Sequence, residues 1–385
     1  MNKISHLKIS GFKRLYNIEL EMRPLMVMIG ANSTGKTSML EILSLLSASA
    51  DGRLNYTLNS LGGLANITTK DKTDSVGLSV EIPHNEQSFL KYELNIKQQG
   101  VYYVIPSEKL FLQQTRGQSG EQPFVFFVSA DNQIQFYDPN QQKWVNPDWN
   151  FNFSETALSQ VAKTYREPED LRKTLSSISH YHALNIDKNS PVKLPQQMKP
   201  ALLPGENGED LFPFLYSLRE NNPDRYETII DTLKAAFPGF ESLGFPPVAA
   251  GMLAMTWKEK YHKTPLYMNQ LSEGMLRFLW LTALLQSPAL PTITMIDEPE
   301  VSLHPELLGL LAHQMREASR HTQLIVATHS DRLIRFLEPK EVVVVNMNEE
   351  GLAEMEWADS LDLEEWLTEY SLDQLWSMGR LGGRP

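Results

Sequence analysis

Gly30, Ala31, Asn32, Ser33, Thr34, Gly35, Lys36 and Thr37 form a complete G-x-x-x-x-G-K-[ST] loop, the feature that most tightly limits this fold. The flanks agree with the loop. Leu25 to Ile29 is an unbroken apolar run that fits a buried strand, and Lys36 to Leu46 places Met39, Leu40, Ile42, Leu43, Leu45 and Leu46 at helical spacing. Strand, glycine loop and helix N-terminus make an anion cradle, because free backbone N–H groups and the positive end of the helix dipole converge on one point. Gly30 and Gly35 allow backbone angles and close approach that a side chain would block. Lys36 is placed to reach β- and γ-phosphates and the Thr37 hydroxyl to ligate Mg²⁺, with Ala31 to Thr34 and Ser38 completing the contact surface.

Three further segments follow in the chain. Thr292 to Ile296 is a β-branched and apolar strand ending in Asp297 and Glu298. Asp297 suits the metal, through its water shell, and Glu298 suits the general base that polarises an attacking water. Thr322 to Thr328 is a second buried strand that delivers His329, whose imidazole can donate to a γ-phosphate or a lytic water. The interval between Asp297 and His329 leaves room for one helix, which Pro305 to Arg320 supplies with proline in its first turn. Leu271-Ser272-Glu273-Gly274-Met275 opens a helix over Met275 to Leu285 and forms a second anion-binding terminus. Two such termini cannot face one nucleotide within a subunit if each closes its own turn. The expectation is that Ser272 and Gly274 of one copy cap the γ-phosphate held at Lys36 of another, giving ATP-dependent dimerisation with two shared sites.

This set resembles the ABC-type ATPases, and within them the RecF/SMC/OLD-like branch with its small standalone AAA-family members. The pointers are Leu7-Lys8-Ile9-Ser10-Gly11-Phe12-Lys13-Arg14, the signature Leu271-Ser272-Glu273-Gly274, and Asp297-Glu298-Pro299-Glu300 followed by Ser302-Leu303-His304-Pro305. They cover about residues 1 to 50 and 265 to 350. The resemblance implies an α/β P-loop NTPase head: a mixed, largely parallel sheet flanked by helices, an N-terminal antiparallel β-subdomain and an inserted helical subdomain. It implies ATP and Mg²⁺ as cofactors and Lys36, Glu298 and His329 as catalytic residues. Gly30 to Ser38 with Ser272, Glu273 and Gly274 would contact nucleotide, and Thr37 and Asp297 the metal. It also implies a homodimer closed through an ATP sandwich, with higher assembly open, a separately encoded nuclease or toxin as effector, and a link to DNA repair or phage defence. Lys13 and Arg14 have two readings, nucleotide contact or an exposed basic turn. Glu273 and Met275 replace the glycine and glutamine of many ABC signatures. Gln113 and Gln114 are the candidates for the Q-loop, or else plain loop residues.

At 385 residues the chain can bury a large core, and it has zero cysteines, which excludes disulfides and cysteine zinc sites. Met1 leads into a strand without an apolar leader or bilayer-length run, so a cytoplasmic location is the default and no membrane role is expected. The net charge of −12 is uneven: Glu341 to Trp376 carries eleven acids and no lysine or arginine, leaving the rest nearly neutral. Acidity therefore does not exclude a DNA-binding groove elsewhere. Trp357, Trp366, Leu367, Tyr370, Leu372, Leu375 and Trp376 make this block unlike a disordered tail. It reads either as a helix docked on its own domain or as a surface for a partner protein.

Between the motifs, residues 4–10, 17–22, 76–83, 90–97, 101–105, 123–129 and 133–137 alternate as strands, the last two around a turn at Ala130, Asp131 and Asn132. Residues 107–122 and 138–154 read as polar loops. Helices are expected over 155–178, 208–221 and 224–236, and strands over 248–258 and 264–268. The resulting domains are an ATPase lobe at 1–105, a β/helical insert at 106–247, a second lobe at 248–350 and an acidic-aromatic extension at 351–385. No heptad repeat persists, so no long coiled-coil arm is expected, and the nine histidines show no metal-ligand spacing. The leading expectation is an ATP-hydrolysing switch that regulates an effector or a DNA transaction. The competing one is an ATP-gated scaffold that sequesters a toxin through the acidic-aromatic block with little turnover. A transporter ATPase ranks third.

Overall fold

The computed structural model describes residues 3–114, 123–130, 133–138, 141–162, 165–362, 366 and 369–381. Asp131 and Asn132 of the expected turn, Glu364, Glu365 and Leu367 of the acidic block, and the terminal residues 382–385 lie outside these. Two large sheets organise the chain. The central one has six strands in the order Ser179–Tyr181, Ile293–Asp297, Gln323–Thr328, Leu25–Ile29, Val342–Met347 and Ala353–Trp357. All neighbours run parallel except the last pair. The second sheet is antiparallel and eight-stranded, running from Leu15–Glu21 through His6–Phe12 to the long strands Ser75–Asn85, Ser88–Gln99 and Tyr102–Gln114 and beyond.

Strand side chains alternate between faces, and here both faces are apolar because both are covered. Met26, Met28, Ile293, Met295, Ile325, Ala327, Val343 and Val345 belong to the core shared with the helix Lys36–Ala50 and the antiparallel sheet. Leu25, Val27, Ile29, Ile296, Leu324, Val326, Val342 and Val344 belong to the opposite core, with the helices Leu211–Asn221, Glu273–Leu285 and Pro305–Ala318. Lys36–Ala50 is therefore wedged between two sheets, which is why its buried residues extend nearly all round rather than along one stripe.

The elements fall near the expected places, with several corrections. Residues 107–114 are not loop: they continue the strand Tyr102–Gln114, so the expected boundary at 105/106 cuts through it. The helix expected over 155–178 is two short helices, Ala157–Gln160 and Arg166–Ser176. The insert expected over 106–247 contributes Ser179–Tyr181 to the central sheet and Leu211–Asn221 to its core. The extension expected from 351 supplies the antiparallel edge strand Ala353–Trp357, and its helix Leu372–Ser377 buries Leu372, Leu375 and Trp376 in the core. Of the two readings of the acidic block, docking on its own domain is the one observed. No helix among the described residues is long and apolar enough to cross a membrane.

Candidate functional site

Parallel pairing builds the site by aligning strand ends. Thr328 lies opposite Ile29 and Asp297 opposite Ala327, so Gly30, Glu298 and His329 emerge side by side at the C-terminal edge of the sheet. That edge, where loops leave parallel strands, is where open α/β sheets bind ligands. The Glu298 N–H donates to Ala327 O at 2.8 Å, fixing the turn, and Glu298 sits at φ 50, a left-handed conformation uncommon for glutamate. Gly30, Ala31, Asn32, Glu298 and His329 line a cavity of about 340 Å³.

Within the loop, Ser33 has φ 64 and Gly35 φ 125, the turns that aim successive N–H groups inward. The helix Lys36–Ala50 begins with no side-chain cap and no acid in its first turn, so its N-terminal N–H groups and dipole are left for an anion. Lys36 is 4% exposed and donates to Gly30 O at 2.6 Å and Ala31 O at 2.8 Å. Burial lowers its pKa to about 8, against the opposing pull of Asp297, Glu298 and Glu300. Thr37 and Asn32 are exposed, Ala31 and Ser38 half-buried, and Thr34 donates to Ala31 O at 3.0 Å. An uncapped dipole, a buried lysine, an exposed hydroxyl and a facing carboxylate fit a magnesium-bound nucleoside triphosphate.

Asp297 is half-buried, and burial followed by the Glu298 charge raises its pKa. His329 Nε2 lies 3.5 Å from Glu298 Oε1, and burial, then the Lys36 charge, lowers the imidazole's pKa against the pull of Glu298. Glu300 holds this corner together: Thr328 Oγ1 donates to it at 2.5 Å and the His329 N–H at 3.2 Å. Burial pushes the Glu300 carboxyl up. Its role is not legible from the motif, because it depends on Thr328 being the strand residue opposite the loop.

The second terminus is also formed. Ser272 caps the helix Glu273–Leu285, is exposed, and accepts from the Met275 N–H at 3.4 Å. Ser302, at φ 62, donates to Glu273 Oε1 at 2.6 Å, and Arg277 pairs with Glu273 at 2.9 Å. A Cβ on Gly274 would stand 2.8 Å from Ser302 O, so glycine lets this loop close on the helix start. None of Ser272, Glu273 or Gly274 lines the cavity at the phosphate loop.

Lys13 and Arg14 have other partners. Lys13 pairs with Glu41, and Arg14 donates to Gly351 O at 2.6 Å, bracing the turn before the edge strand. Gln113 and Gln114 lie in the strand Tyr102–Gln114, opposite Phe89 and Ser88. A metal-ligand cluster was missed in the sequence: among the described residues, ligand atoms of His180, His182 and Asp297 lie within 4.8 Å of one another. Burial, then the neighbouring His182, holds His180 down to about 4. The His-x-His spacing was the available signal, but it straddles the end of the three-residue strand Ser179–Tyr181, hidden in the expected insert.

No curated protein matches the chain. It is similar to the solved Smc head bound to the C-winged helix domain of ScpA, with 14% identity, TM-score 0.53, and coverage of 92% of this chain and 97% of that one. It is also similar to the Smc head domain with an extended coiled coil bound to the C-terminal domain of ScpA, derived from Pyrococcus furiosus. There the identity is 12%, the TM-score 0.50, and the coverage 96% and 100%. The family model described as "AAA domain, putative AbiEii toxin, Type IV TA system" matches residues 25–335. The chain belongs to that AAA family, and its fold is that of the Smc head.

Proposed function

We propose that the chain is an ATP-hydrolysing molecular switch in which two copies close over nucleotide and reopen after hydrolysis. The carrying observation is that the exposed helix start at Ser272 stands apart from the phosphate-loop cavity, which Gly30, Ala31 and Asn32 line and no residue of Ser272 to Gly274 does. Gly30 to Ser38 would cradle the phosphates, Lys36 exchanging its two carbonyl partners for phosphate oxygens. Thr37 and Asp297 would hold the magnesium ion, which when bound offsets charge developing on the phosphates. Glu298 faces the same opening and would accept a proton from the attacking water. His329, its backbone N–H held by Glu300, would donate a hydrogen bond beside it. Ser272 and Gly274 of the partner copy would complete the enclosure, which excludes water other than the attacking one.

The output of the switch is regulation of a separately encoded effector in phage defence or DNA repair. The family's association with a toxin system supports an effector. The similar Smc heads were solved with pieces of ScpA bound, which supports a partner seated on the head. A scaffold working through the acidic-aromatic block has less to stand on, because Leu372, Leu375 and Trp376 are buried in the chain's own core. Glu298→Gln is expected to bind ATP with magnesium, fail to hydrolyse it, and accumulate as a dimer by light scattering. Lys36→Ala is expected to lose nucleotide binding and stay a monomer. A Glu298→Gln protein that binds ATP yet remains monomeric would overturn the proposal.

A further inference from the structure

We infer that His180, His182 and Asp297 form a binding site for a transition-metal dication of the zinc class, separate from the nucleotide's magnesium position. The strand Ser179–Tyr181 runs parallel to Ile293–Asp297, with His180 beside Met295 and Tyr181 beside Ile296. That register carries His182 alongside Asp297. Residues two apart on an extended chain share a face, and the two imidazole rings lie 4.0 Å apart between centroids. One ligand atom from each of the three side chains falls within 4.8 Å of the others. Bonds of about 2.0–2.2 Å to a first-row ion bring such donors to roughly 3–4 Å apart, so modest ring rotation closes the set.

A second observation points to a ligand. His180 Nε2 is buried and has no hydrogen-bond partner among the described residues, a costly state for a ring nitrogen that a metal bond would relieve. Beside the cluster, a void of about 10 Å³ borders His182, Arg277, Asp297 and Glu298, room for one water-sized occupant. Arg277, the cation facing that void, is paired with Glu273 at 2.9 Å. Two imidazoles and one carboxylate select a borderline ion such as Zn²⁺ over Mg²⁺, which prefers oxygen ligands throughout. The site needs no nucleotide, so it stands apart from the switch reading; Asp297 is the one group the two share. An ion there would tie the edge strand to the strand bearing the magnesium-side carboxylate.

The test uses the full chain, stripped of metal with a chelator and free of nucleotide. Zn²⁺ is titrated by calorimetry and Co²⁺ by its visible absorption. The expected result is one ion per chain, with Co²⁺ bands showing nitrogen ligation. His182 is exposed, so His182→Ala should keep the fold, checked by thermal melting, while weakening Zn²⁺ binding by about 100-fold or more. His180→Gln should do the same, and Lys36→Ala should bind Zn²⁺ like the unaltered chain. Zn²⁺ affinity unchanged in both histidine variants, or an absence of nitrogen-ligated Co²⁺ bands, would overturn the site.

Discussion

At the scale of single residues, the phosphate loop is held by what its glycines leave out. A Cβ on Gly30 would stand 2.2 Å from Val345 O and 2.9 Å from Thr34 Oγ1. Val345 is fixed in the sheet opposite Met355, so its carbonyl cannot retreat without disturbing the edge pair. Gly30→Ala is therefore expected to cost about 1–3 kcal/mol by overpacking and to abolish nucleotide binding, read by denaturant midpoint and a fluorescent ATP analogue. Gly100→Ala is the control, since Gly100 has φ 63 but nothing within 4 Å of an added Cβ. It should show a backbone cost of about 1 kcal/mol with nucleotide binding intact. Lys36 is a buried cation that its own loop satisfies, because the carbonyls of Gly30 and Ala31 accept hydrogen bonds from its ammonium. These roles could be read from the motif, since each depends on local chain order. Glu300 could not, nor could the meeting of His180 and His182 with Asp297, because these partners come from segments distant in sequence.

At the scale of elements, apolar runs that end at a motif were legible and segments without such a pattern were not. Leu25–Ile29, Ile293–Asp297 and Gln323–Thr328 lie within a residue of their expected bounds because each is an apolar run ending at a polar motif. Ser179–Tyr181 was missed, being too short for a pattern and made a strand only by its pairing with Ile293–Asp297. The strand Tyr102–Gln114 was cut short at 105 because Pro106, Ser107 and Glu108 interrupt its alternation. Glu108 has a packing reason to be there. It is buried and accepts from the N–H groups of Ala157 at 2.6 Å and Leu158 at 2.9 Å and from the Tyr92 hydroxyl at 2.9 Å, anchoring the helix Ala157–Gln160 to the sheet. Burial outweighs those bonds and raises its pKa from 4.5 to about 7. Between those values the folded chain keeps a proton the unfolded chain has released, so this group's contribution is full below pH 4.5 and falls as pH rises towards 7. Glu108→Gln does not titrate there. The stability of the unaltered chain relative to Glu108→Gln should thus fall by on the order of 3 kcal/mol across the window, measured by denaturant unfolding of both proteins. A difference independent of pH would mean the carboxyl is not protonated in the fold.

At the scale of the whole molecule, the question is how one chain uses two helix starts that do not meet. The fold class was legible because four motifs stand in a fixed order, and the similarity to Smc heads spans 92% of the chain. How two copies would combine is a matter of surfaces, and no motif spells that out. The exposed Ser272, braced through Glu273 to Ser302, is available to a second copy, whereas Lys36 is 4% exposed and committed to its own loop. If the sites are shared, a Lys36→Ala chain lacks a working phosphate loop but still offers a good Ser272, and a Ser272→Arg chain has the reverse defect. Each variant alone should be inactive. Neither variant can form an intact site with its own kind, but mixed in equal amounts the two chains can pair, and each such dimer would hold one intact site made from the good half of each. Steady-state hydrolysis should then recover to between about a quarter and about half of the unaltered rate, provided the two sites turn over independently. If each site were built within one chain, every site would keep one defect and mixing would restore nothing. Recovery that rises with the fraction of the minority variant and peaks at equal mixing marks sharing, and a flat baseline marks a site closed within one copy.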